Sequence, residues 1–300
     1  MPKSQMTQPR ICDYEGASYR TDFWEDKGRD YEDRVERVVL RRLLPASGGR
    51  RLLEVGAGFG RLTDEYTAYR QVVLLDYSLS QLQYAQEHHG RSDRFVYVAA
   101  DAYKLPFYPG VFDAATMIRV IHHMSNVPSV LAQVRRVLTP NAVFILEHAN
   151  KRNVKAMARY ALKKQDWNPY DEAPVEFVEL NFDFHPEYIR RTLREVGFST
   201  NKRVPVSYLR LGALKRRLSV NTLVHIDRVL QHSRLLFSPS IFTRNVAIGN
   251  TIDNLKRDLL FACPNCGGAL VREDDVVRCT RDDRRWAVRD GIYDFKAPLD

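Results

Sequence analysis

The sequence predicts an α/β protein built on a doubly wound, mostly parallel sheet. Two observations favour this fold class. Between residues 30 and 150, short apolar runs alternate with amphipathic segments of helical period, as expected for strands that crossover helices bury on both faces. A glycine-rich turn follows the first apolar run, and such sheets bind ligands at the carboxyl ends of their strands.

Periodicity and turn residues place the individual elements. A helix is predicted over 30–44, where Pro45 and a Ser-Gly-Gly run end it. Ser78 or Ser80 is the expected cap of a later helix. The predicted strands are 51–55, 71–75, 94–100, 111–119 and 142–148, and the helices between them are 60–69, 80–88 and 127–138. Beyond residue 150, helices are predicted at 153–164 and 185–196, a strand at 201–211, and a basic amphipathic stretch at 214–236.

Composition divides the chain into four segments. These are a polar arm at 1–29, the alternating segment with the glycine-rich turn at 30–150, a basic segment with the final strands of the sheet at 151–260, and a cysteine-bearing β module at 261–300. The basic segment, which we label the lid, holds 20 Lys and Arg against 11 Asp and Glu, which accounts for the whole net charge of +9. Such an excess is typical of contact with an anionic substrate, nucleic acid or a membrane surface, although a solvated helical region carries it equally well.

Neither a membrane span nor a disulfide framework is expected. No apolar run approaches the roughly 20 residues that span a bilayer. The first ten residues are polar, which predicts no secretory leader and a cytoplasmic location. Three of the four cysteines lie within the last forty residues at metal-ligand spacing, which leaves Cys12 alone.

The glycine-rich turn at 54–60 has the sequence Glu-Val-Gly-Ala-Gly-Phe-Gly. Gly56 and Gly58 allow the backbone to turn sharply and to approach a ligand closely, and the helix expected beyond Gly60 offers free N–H groups. The Gly-x-Gly-x-Gly spacing differs from the Gly-x-Gly-x-x-Gly that seats a pyrophosphate in dinucleotide folds. On this motif alone, a tight turn without a ligand remains an alternative.

Three acidic residues lie at the ends of three successive predicted strands. Glu54 would repel a pyrophosphate but attract the ammonium group of a bound amino acid. Asp76 stands where a carboxylate accepts hydrogen bonds from two ribose hydroxyls, and Asp101 stands where one accepts from an adenine amino group. Three acids beside one glycine turn indicate a nucleoside that carries an amino acid.

The chain resembles the class I S-adenosylmethionine-dependent methyltransferases over residues 30–200, particularly the group that includes ubiquinone and menaquinone methylases. The motif at 54–60 carries the resemblance together with the segments 75–78, 100–107, 112–113, 121–123 and 131–140. It implies a Rossmann-like fold and S-adenosylmethionine as cofactor, with Glu54 and the glycine turn facing the methionine part, Asp76 the ribose, and Asp101 with Ala102 the adenine. It also implies that the arm and the lid cover the substrate. The candidate cofactor-binding residues are Glu54, Gly56, Ala57, Gly58, Gly60, Asp76, Tyr77, Ser78, Asp101, Ala102 and Arg119.

The candidate catalytic residues are His122 and His123, which follow the fourth predicted strand. Methyl transfer from a sulfonium requires alignment of the acceptor and, in some cases, removal of a proton. An imidazole pKa of about 6.5 suits a general base. In the resembled family, however, histidines at this position often only shape the pocket, and we favour that interpretation. Arg119 is placed to contact the cofactor or an acidic substrate, or merely to cap the strand.

The last forty residues contain a metal-ligand pattern. Cys263 and Cys266 flank a knuckle, Cys279 follows after twelve intervening residues, and Asp282 occupies the position of a fourth cysteine. The tail from Arg285 resembles the end of the small zinc-ribbon activator proteins that pair with some tRNA and protein methyltransferases. Cys263, Cys266, Cys279 and Asp282 are therefore the candidate ligands of a structural zinc. The alternative is a degenerate ribbon that holds no metal.

The sequence thus predicts a cytoplasmic methyltransferase that acts on a small-molecule substrate, a metabolite of anionic or lipophilic character. An RNA methyltransferase that binds through the basic lid and the ribbon is the alternative. A non-catalytic protein that keeps the nucleotide pocket is a third interpretation, against which the intact acids argue. RNA is the less favoured partner because the lid aromatics are not interleaved with basic residues. Trp167, Tyr170 and Phe177 either line a substrate pocket or fill the lid's own core, and the core is the more frequent use of aromatic residues. The basic clusters are interpreted as a solvated face.

Overall fold

The computed structural model describes residues 9–17, 21, 24, 28–249 and 259–299. The strands within these residues are β1 (Gly49–Val55), β2 (Tyr69–Asp76), β3 (Phe95–Ala99), β4 (Phe112–Met117), β5 (Leu138–Ala149), β6 (Val175–Val178), β7 (Asn181–Asp183), β8 (Phe198–Val206), β9 (Ser240–Ala247), β10 (Leu270–Glu273), β11 (Val276–Cys279), β12 (Arg285–Arg289) and β13 (Ile292–Asp294). The helices are α1 (Asp30–Leu43), α2 (Leu79–His89), α3 (Val127–Val137), α4 (Val154–Ala161), α5 (Pro186–Glu195), α6 (Gly212–Arg217) and α7 (Val220–Leu230).

One eleven-stranded sheet organises the molecule, in the order β10-β11-β12-β13-β3-β2-β1-β4-β5-β9-β8. Its centre, from β13 to β5, pairs in parallel, and antiparallel strands extend it at both ends. The predicted doubly wound sheet with a parallel centre is confirmed. Because the chain builds outward from β1 first toward β3 and then toward β5, a crevice is expected at the carboxyl ends of β1 and β4.

Two apolar cores cover the two faces of the sheet. Leu52 and Leu53 are adjacent on β1 and both fully buried, because successive side chains of a strand point to opposite faces. Leu52 belongs to the core formed with α1, α2 and α7. Leu53 belongs to the core formed with α3 and α5. Burial on both faces explains why the strands have continuous apolar sequences.

The prediction of a helix at 60–69 is wrong. The structure has turns there, with a short 3-10 helix at Thr63–Tyr66, and β2 already begins at Tyr69. The side chains of Thr63 and Tyr66 turn inward and donate hydrogen bonds to the buried Glu54 carboxylate. This tertiary contact holds the segment in a form that local helical periodicity does not anticipate.

The terminal module extends the main sheet instead of standing apart from it. β13 pairs in parallel with β3, and the Phe295 N–H donates to the Ala99 carbonyl at 2.7 Å. Phe261 stacks on Phe107 with ring centroids 5.8 Å apart. Trp286 is buried in the core that also contains α3. The module therefore shares both hydrogen bonds and apolar contacts with the central sheet.

The lid begins at the carboxyl end of β5. β6 and β7 form a separate hairpin, and β7 lies against the 3-10 helix at Ile121–His123 that follows β4. Tyr170 and Phe177 are 56% and 55% exposed, so their interpretation as the lid's own core is wrong. Among the described residues, no helix is long and apolar enough to cross a bilayer.

Candidate active site

A solvent-open cavity of about 780 Å³ lies at the carboxyl ends of β1, β2, β3 and β4. The turn after each strand contributes to its wall, as the parallel topology requires. The candidate cofactor-binding residues that line it are Gly56, Gly58, Asp76, Tyr77, Asp101, Ala102 and Arg119. The fold therefore brings together residues from four turns that are distant in sequence.

A smaller cavity of about 380 Å³ adjoins the first. The two share the glycine turn and Arg119 as a common wall. Two further candidates, Glu54 and Ala57, line this second cavity, together with Trp24 and Arg61. The second cavity thus combines one buried carboxyl group with two guanidinium groups.

The three glycines of the turn have different surroundings, although all have positive φ values of 71°, 54° and 77°. A Cβ on Gly56 would lie 2.1 Å from Cγ2 of Val120, whereas one on Gly58 would meet no atom within 4 Å. Gly58 therefore faces open space, and Gly56 allows Val120, in the segment after β4, to pack closely against the turn. Gly60 lines neither cavity. Its carbonyl lies 3.0 Å from His89 Nε2, and this contact joins the turn to α2.

Asp76 ends β2 and joins the first two turns. Its carboxylate accepts the Gly58 N–H at 2.7 Å and the Ser78 N–H at 2.9 Å. Burial raises the pKa of Asp76, and the backbone donors oppose that rise. A carboxylate has about four lone-pair positions, and the backbone N–H groups of Gly58, Tyr77 and Ser78 leave one of them for a ligand hydroxyl. Ser78 lines neither cavity, but it caps α2 as predicted, since its hydroxyl accepts the Gln81 N–H at 3.3 Å.

The wall after β3 is formed by Asp101 and Ala102. The Asp101 carboxylate accepts the Tyr103 N–H at 2.8 Å, and burial raises its pKa. Tyr77, at the end of β2, lies opposite, with the Lys296 ammonium 5.4 Å from its ring centroid. A residue of the terminal module therefore reaches the edge of the first cavity, which we call the cofactor cavity because most of the candidate cofactor-binding residues line it.

Glu54 is buried beside the second cavity. Its carboxylate accepts hydrogen bonds from the hydroxyls of Thr63 and Tyr66, both at 3.0 Å. Burial raises the pKa of Glu54 to about 7, against the lowering effects of these two donors and of Arg61. A carboxyl group with this pKa changes its charge near neutral pH according to the charge of its neighbours.

Arg119 stands between the two cavities with φ 60°, a conformation that non-glycine residues seldom adopt. Its backbone N–H donates to Glu147 at 2.9 Å, and its Nε donates to Glu36 at 2.8 Å. Arg61 donates to the other Glu36 oxygen at 2.7 Å, and both guanidiniums lie over the Trp24 ring. Burial acts to raise the pKa of Glu36, but Arg119 and Arg61 hold it at about 2. A permanently ionised network thus fixes this wall.

Only one of the two candidate catalytic histidines, His123, lines the cofactor cavity. Its Nδ1 lies 2.8 Å from the Leu180 carbonyl, and its Nε2 lies 3.2 Å from the Tyr14 hydroxyl. Because a carbonyl only accepts, Nδ1 carries the proton and Nε2 accepts from Tyr14. His122 lines neither cavity, and its buried Nδ1 has no hydrogen-bond partner among the described residues. Burial lowers the pKa of both imidazoles.

The N-terminal arm supplies residues that the sequence did not single out. Ile11, Cys12 and Tyr14 line the cofactor cavity. The Glu15 carboxylate accepts the first two N–H groups of α2, at 2.6 and 3.0 Å. The resemblance implied an arm over the substrate, but the scattered aromatics of the arm gave no indication of which side chains reach the cavity.

Arg210 is a second group that the sequence did not indicate. It follows β8 in a loop where the buried Asp227 carboxylate accepts the Tyr208 N–H at 2.9 Å and the Tyr31 hydroxyl at 2.6 Å. Nε and Nη2 of Arg210 are buried without hydrogen-bond partners in the described part of the chain. Burial is the main cause that lowers the pKa of the Arg210 guanidinium, and the nearby charge of Arg119 lowers it further. Buried donors without partners are costly, and Arg210 lines neither of the two cavities.

The four candidate metal ligands converge in the terminal module. Ligand atoms of Cys263, Cys266, Cys279 and Asp282 all lie within 4.8 Å of one another. The sulfurs of Cys266 and Cys279 are 3.5 Å apart, and the sulfur of Cys263 is 3.7 Å from the Asp282 carboxylate. The Asn265 side chain donates to Asp282 at 2.8 Å and orients it. Three thiols and one carboxylate match the ligand types and number of tetrahedral zinc.

The fold is that of a Rossmann-like α/β protein with two adjoining cavities at the strand ends. Residues 53–146 match the methyltransferase domain family. An O-methyltransferase of Penicillium expansum is 31% identical over 150 residues, which cover 47% of this chain and 54% of the relative. This chain thus spans about half the length of that relative.

Two further comparisons extend this result. The ubiquinone biosynthesis O-methyltransferase of Thiobacillus denitrificans is 28% identical over 170 residues, 53% of this chain and 69% of the relative. The crystal structure of an S-adenosylmethionine-dependent methyltransferase from Mesorhizobium loti has the same fold, with 21% identity, a TM-score of 0.52, and coverage of 72% of this chain and 99% of that one. Residues 53–146 therefore match a methyltransferase domain, on a fold shared with S-adenosylmethionine-dependent methyltransferases, and the resemblance inferred from the sequence is confirmed.

Proposed function

We propose that the chain is an enzyme that transfers the methyl group of S-adenosylmethionine to a small-molecule acceptor in the cytoplasm. The observation that carries the proposal is the convergence of Gly58, Asp76 and Asp101 on one cavity within a methyltransferase domain. The sulfonium of the bound cofactor supplies an electrophilic methyl carbon, so the chain has mainly to bind and align the two reactants.

The polarity of the two cavities fits the parts of this cofactor. Asp76 would accept from the ribose hydroxyls, and Asp101 would border the adenine. Glu54 lies beside the second cavity and would meet the ammonium group, while Arg61 and Arg119 line the same cavity and would meet the carboxylate. A cavity with one acid and two arginines is complementary to an amino acid that carries both charges.

The acceptor is expected near the segment that follows β4, where Arg119 and His123 line the cofactor cavity. Tyr14 donates to His123 Nε2, so that nitrogen is not free to remove a proton while the arm is in place. We therefore assign His123 a positioning role, and His122 none in contact with the reactants. Arg119, which lines both cavities, favours an acceptor with an acidic or carbonyl oxygen beside the reacting group.

The fate of the methyl group separates this proposal from RNA methylation. The chain is incubated with cell extract and with cofactor labelled in its methyl group, and the small molecules and the RNA are then separated. We expect the label in the small-molecule fraction. Label confined to RNA would favour the alternative function. Intact binding of S-adenosylhomocysteine without any labelled product would indicate a non-catalytic binding protein.

The variant Asp76→Ala tests the cofactor site. We expect its affinity for S-adenosylhomocysteine to fall by about tenfold or more, because the ribose hydroxyls lose a charged acceptor. Isothermal titration calorimetry on the full chain measures the change. An affinity equal to that of the unmodified protein would contradict the ribose assignment.

Asp113→Ala is the matched control for this variant. The Asp113 carboxylate also accepts two backbone N–H groups, those of Arg50 and Arg51, at 2.7 and 3.0 Å. These lie at the start of β1, at the opposite edge of the sheet from the cavity. Loss of the Asp113 carboxylate is expected to lower the melting temperature but to leave the affinity for S-adenosylhomocysteine unchanged. Equal loss of affinity in both variants would mean that the effect of Asp76→Ala is general destabilisation.

We propose further that Cys263, Cys266, Cys279 and Asp282 hold one structural zinc. Four protein ligands would fill a tetrahedron and leave no position for a substrate, as in structural sites. The hydrogen bond from Asn265 to Asp282 supports this role, because such partners orient metal-bound carboxylates.

A further inference from the structure

A hydrogen-bonded pair of side chains, Tyr14 in the N-terminal arm and His123 after β4, lies in the wall of the cofactor cavity. The Tyr14 hydroxyl is 3.2 Å from His123 Nε2, and both residues line the cavity. Their rings meet edge to face, with centroids 5.7 Å apart and planes at 72°. The cofactor contacts proposed above do not involve this hydroxyl, so its place in the cavity needs another explanation.

The hairpin of β6 and β7 fixes the protonation state of this pair. His123 Nδ1 lies 2.8 Å from the Leu180 carbonyl, which can only accept, so Nδ1 carries the proton and Nε2 offers its lone pair. Leu180 has φ 51°, a left-handed conformation that residues with a Cβ seldom adopt. Surrounding contacts have to hold such a residue in place. The hairpin therefore keeps His123 as the tautomer whose Nε2 accepts the Tyr14 proton.

A further set of contacts ties the arm to the same hairpin. The Arg10 guanidinium donates to the Glu176 carboxylate at 2.8 and 3.0 Å, and that carboxylate accepts the Leu180 N–H at 2.8 Å. Residues 10–14 of the arm are thus held at both ends, once by the hairpin and once by the histidine that the hairpin orients. The contact between Tyr14 and His123 is therefore supported from both sides and is not the chance contact of a loose arm.

We propose that Tyr14 is a catalytic residue that takes the proton of a phenolic hydroxyl of the acceptor while it passes its own proton to His123. The acceptor oxygen bonds to the methyl carbon, and the carbon–sulfur bond breaks with its electron pair remaining on sulfur. The acceptor proton moves to the Tyr14 oxygen, and the former Tyr14 proton moves to Nε2 of His123. The resulting imidazolium loses that proton to solvent after the product leaves. His123 acts only through Tyr14, in agreement with its positioning role.

Matched acidity points to a phenol as the acceptor. The ordinary pKa of a tyrosine hydroxyl is about 10, which is that of a phenol. Proton transfer between two oxygens of equal acidity has no unfavourable driving force, and the neutral imidazole then draws the proton onward. An aliphatic alcohol is a much weaker acid, and a carboxylic acid is already ionised at neutral pH and needs no base. The inference rests on the proposed function and narrows its acceptor to a hydroxyl on an aromatic ring.

Tyr14→Phe tests the relay, because it keeps the ring and removes only the hydroxyl. The full chain is given cell extract and a saturating concentration of cofactor labelled in its methyl group. The initial rate of label transfer to small molecules is expected to fall about a hundredfold or more. The affinity for S-adenosylhomocysteine is expected to stay within about twofold of that of the unmodified chain. An unchanged rate in Tyr14→Phe would overturn the relay.

His123→Asn removes the proton acceptor of the relay but keeps a side-chain N–H for the Leu180 carbonyl. It is expected to lose as much rate as Tyr14→Phe, and the double variant is expected to lose no more than either, because the two residues act as a unit. Losses that multiply in the double variant would contradict the relay. If the unmodified chain labels no fraction of the extract, the proposed function fails, and the relay fails with it.

The pH profile separates proton transfer from a structural role of Tyr14. The rate deficit of Tyr14→Phe is expected to shrink between about pH 7.5 and about pH 9.5, because a phenol that ionises by itself needs no base. The other titratable groups beside the pair are His122, with ring centroid 4.0 Å from that of His123, and Cys12, whose pKa burial raises. Both are present with and without the substitution, so their titration cancels in the comparison. A constant deficit would mean that Tyr14 only holds the arm, and the relay would be wrong.

Tyr97→Phe is the matched control. The Tyr97 hydroxyl donates to the Gly90 carbonyl at 2.8 Å, and Tyr97 lines neither cavity. Its loss is expected to lower the melting temperature slightly and to leave the rate of methyl transfer unchanged. A loss of rate as large as that of Tyr14→Phe would mean that removal of any buried hydroxyl disables the protein, which would contradict the assignment.

Two measurements independent of rate complete the test. In the full chain with histidine labelled with nitrogen-15, the Nε2 signal of His123, identified by its absence in His123→Asn, is expected to move downfield in Tyr14→Phe. An unmoved signal would show that the pair is not hydrogen-bonded in solution and would overturn the relay. The labelled product is expected to resist mild base, which hydrolyses methyl esters, and to release methyl iodide in hydriodic acid, as aryl methyl ethers do. Label on carbon or nitrogen would overturn the relay but leave the proposed function standing.

Discussion

Three buried carboxylates near the cavities differ in the groups that surround them. Glu36 is paired with Arg119 and Arg61, Asp76 accepts backbone N–H groups, and Glu54 accepts from two hydroxyls. Burial, which raises the pKa of a carboxyl group, prevails at Glu54, whose pKa is about 7. At Glu36 the two guanidiniums prevail, and the pKa is about 2. Glu54 is therefore an acid of the site whose charge depends on what binds beside it.

We expect the affinity for S-adenosylhomocysteine to rise as the pH increases from about 6 to 8. An ammonium group beside Glu54 favours the ionised carboxylate, so binding releases the proton that Glu54 holds below about pH 7. The affinity then falls by up to about tenfold for each pH unit below the pKa. Burial lowers the pKa of His123, which shifts the titration of this imidazole toward lower pH. Calorimetry in buffers of different ionisation enthalpy measures both the affinity and the proton release.

Two variants identify Glu54 as the origin of this dependence. Glu54→Gln cannot titrate, so its affinity is expected to be low and nearly constant over the pH range. Tyr66→Phe deletes a hydrogen bond to the Glu54 carboxylate, so the midpoint is expected to move to higher pH. If the unmodified protein binds equally well at pH 6 and 8, Glu54 does not contact the ammonium group.

Some residues of the candidate site could be located from the sequence. Gly58, Asp76 and Asp101 could be assigned to one site from the predicted strands alone, because parallel strands end at one edge of the sheet. Glu36 could not be found in this way. Its main partner, Arg119, is 83 positions away, and a glutamate on an amphipathic helix is indistinguishable from a solvated one until that partner is known. Arg210 is similar, since its loop is positioned by Asp227.

Among the elements, the N-terminal arm connects α2 to the terminal module. Glu15 accepts the first two N–H groups of α2, where a carboxylate also interacts favourably with the helix dipole. The Gly16 N–H donates to the Ser80 hydroxyl at 3.0 Å, and the Lys296 ammonium lies 3.6 Å from Glu15. These contacts hold Tyr14 against the cofactor cavity. The arm therefore forms part of the cavity wall, and a bound cofactor would have to move past it to dissociate.

Glu15→Ala is expected to loosen the arm. Loss of the cap lowers the free energy of unfolding by about 1 kcal/mol. Dissociation of S-adenosylhomocysteine is expected to become several-fold faster, because Ile11, Cys12 and Tyr14 no longer cover the cavity firmly. Stopped-flow displacement measures the rate, and chemical denaturation measures the stability.

Ser219→Ala removes a comparable cap from another helix. The Ser219 hydroxyl accepts the Thr222 N–H at the start of α7, at 3.1 Å. This variant is expected to lose similar stability without faster dissociation. If Glu15→Ala and Ser219→Ala have the same dissociation rate as the unmodified protein, the arm does not control access to the cavity.

Element prediction succeeded where burial on two faces produces a strong pattern. The continuous apolar runs of β1 and β2 have no other interpretation in an alternating sequence. It failed at 60–69, where Thr63 and Tyr66 turn inward to one buried carboxylate. It also failed for the exposed Tyr170 and Phe177, because aromatic residues in a lid are usually expected to form its core. In both places a contact or an environment outside the segment decides the outcome.

At the scale of the whole molecule, the terminal module and the nucleoside site share one sheet. β13 pairs with β3, whose carboxyl end leads to Asp101. The Phe295 N–H donates to the Ala99 carbonyl, and Lys296 reaches both Tyr77 and Glu15. The sequence indicated a separate ribbon because its cysteine spacing is local, whereas the pairing of β13 with β3 joins residues nearly two hundred positions apart. Disorder in the ribbon would therefore reach the cofactor cavity.

Removal of the metal is expected to affect cofactor binding as well as stability. Cys279 lies on β11 within the apolar core, so Cys279→Ser would abolish zinc binding and loosen the strands that support β13. We expect the zinc content by plasma mass spectrometry to fall from one per chain to none. The melting temperature should fall by roughly 5–10 °C, and the affinity for S-adenosylhomocysteine should fall several-fold.

Cys12→Ser controls for the loss of a thiol, since Cys12 lies outside the metal cluster and its variant should keep one zinc. Chelation of the unmodified protein followed by added zinc should lower and then restore both the melting temperature and the affinity, because the same strands carry both effects. A protein that contains no zinc after purification with zinc would contradict the metal site itself. A Cys279→Ser variant that loses zinc but binds S-adenosylhomocysteine normally would show that the ribbon and the nucleoside site are independent, despite the hydrogen bonds between β13 and β3.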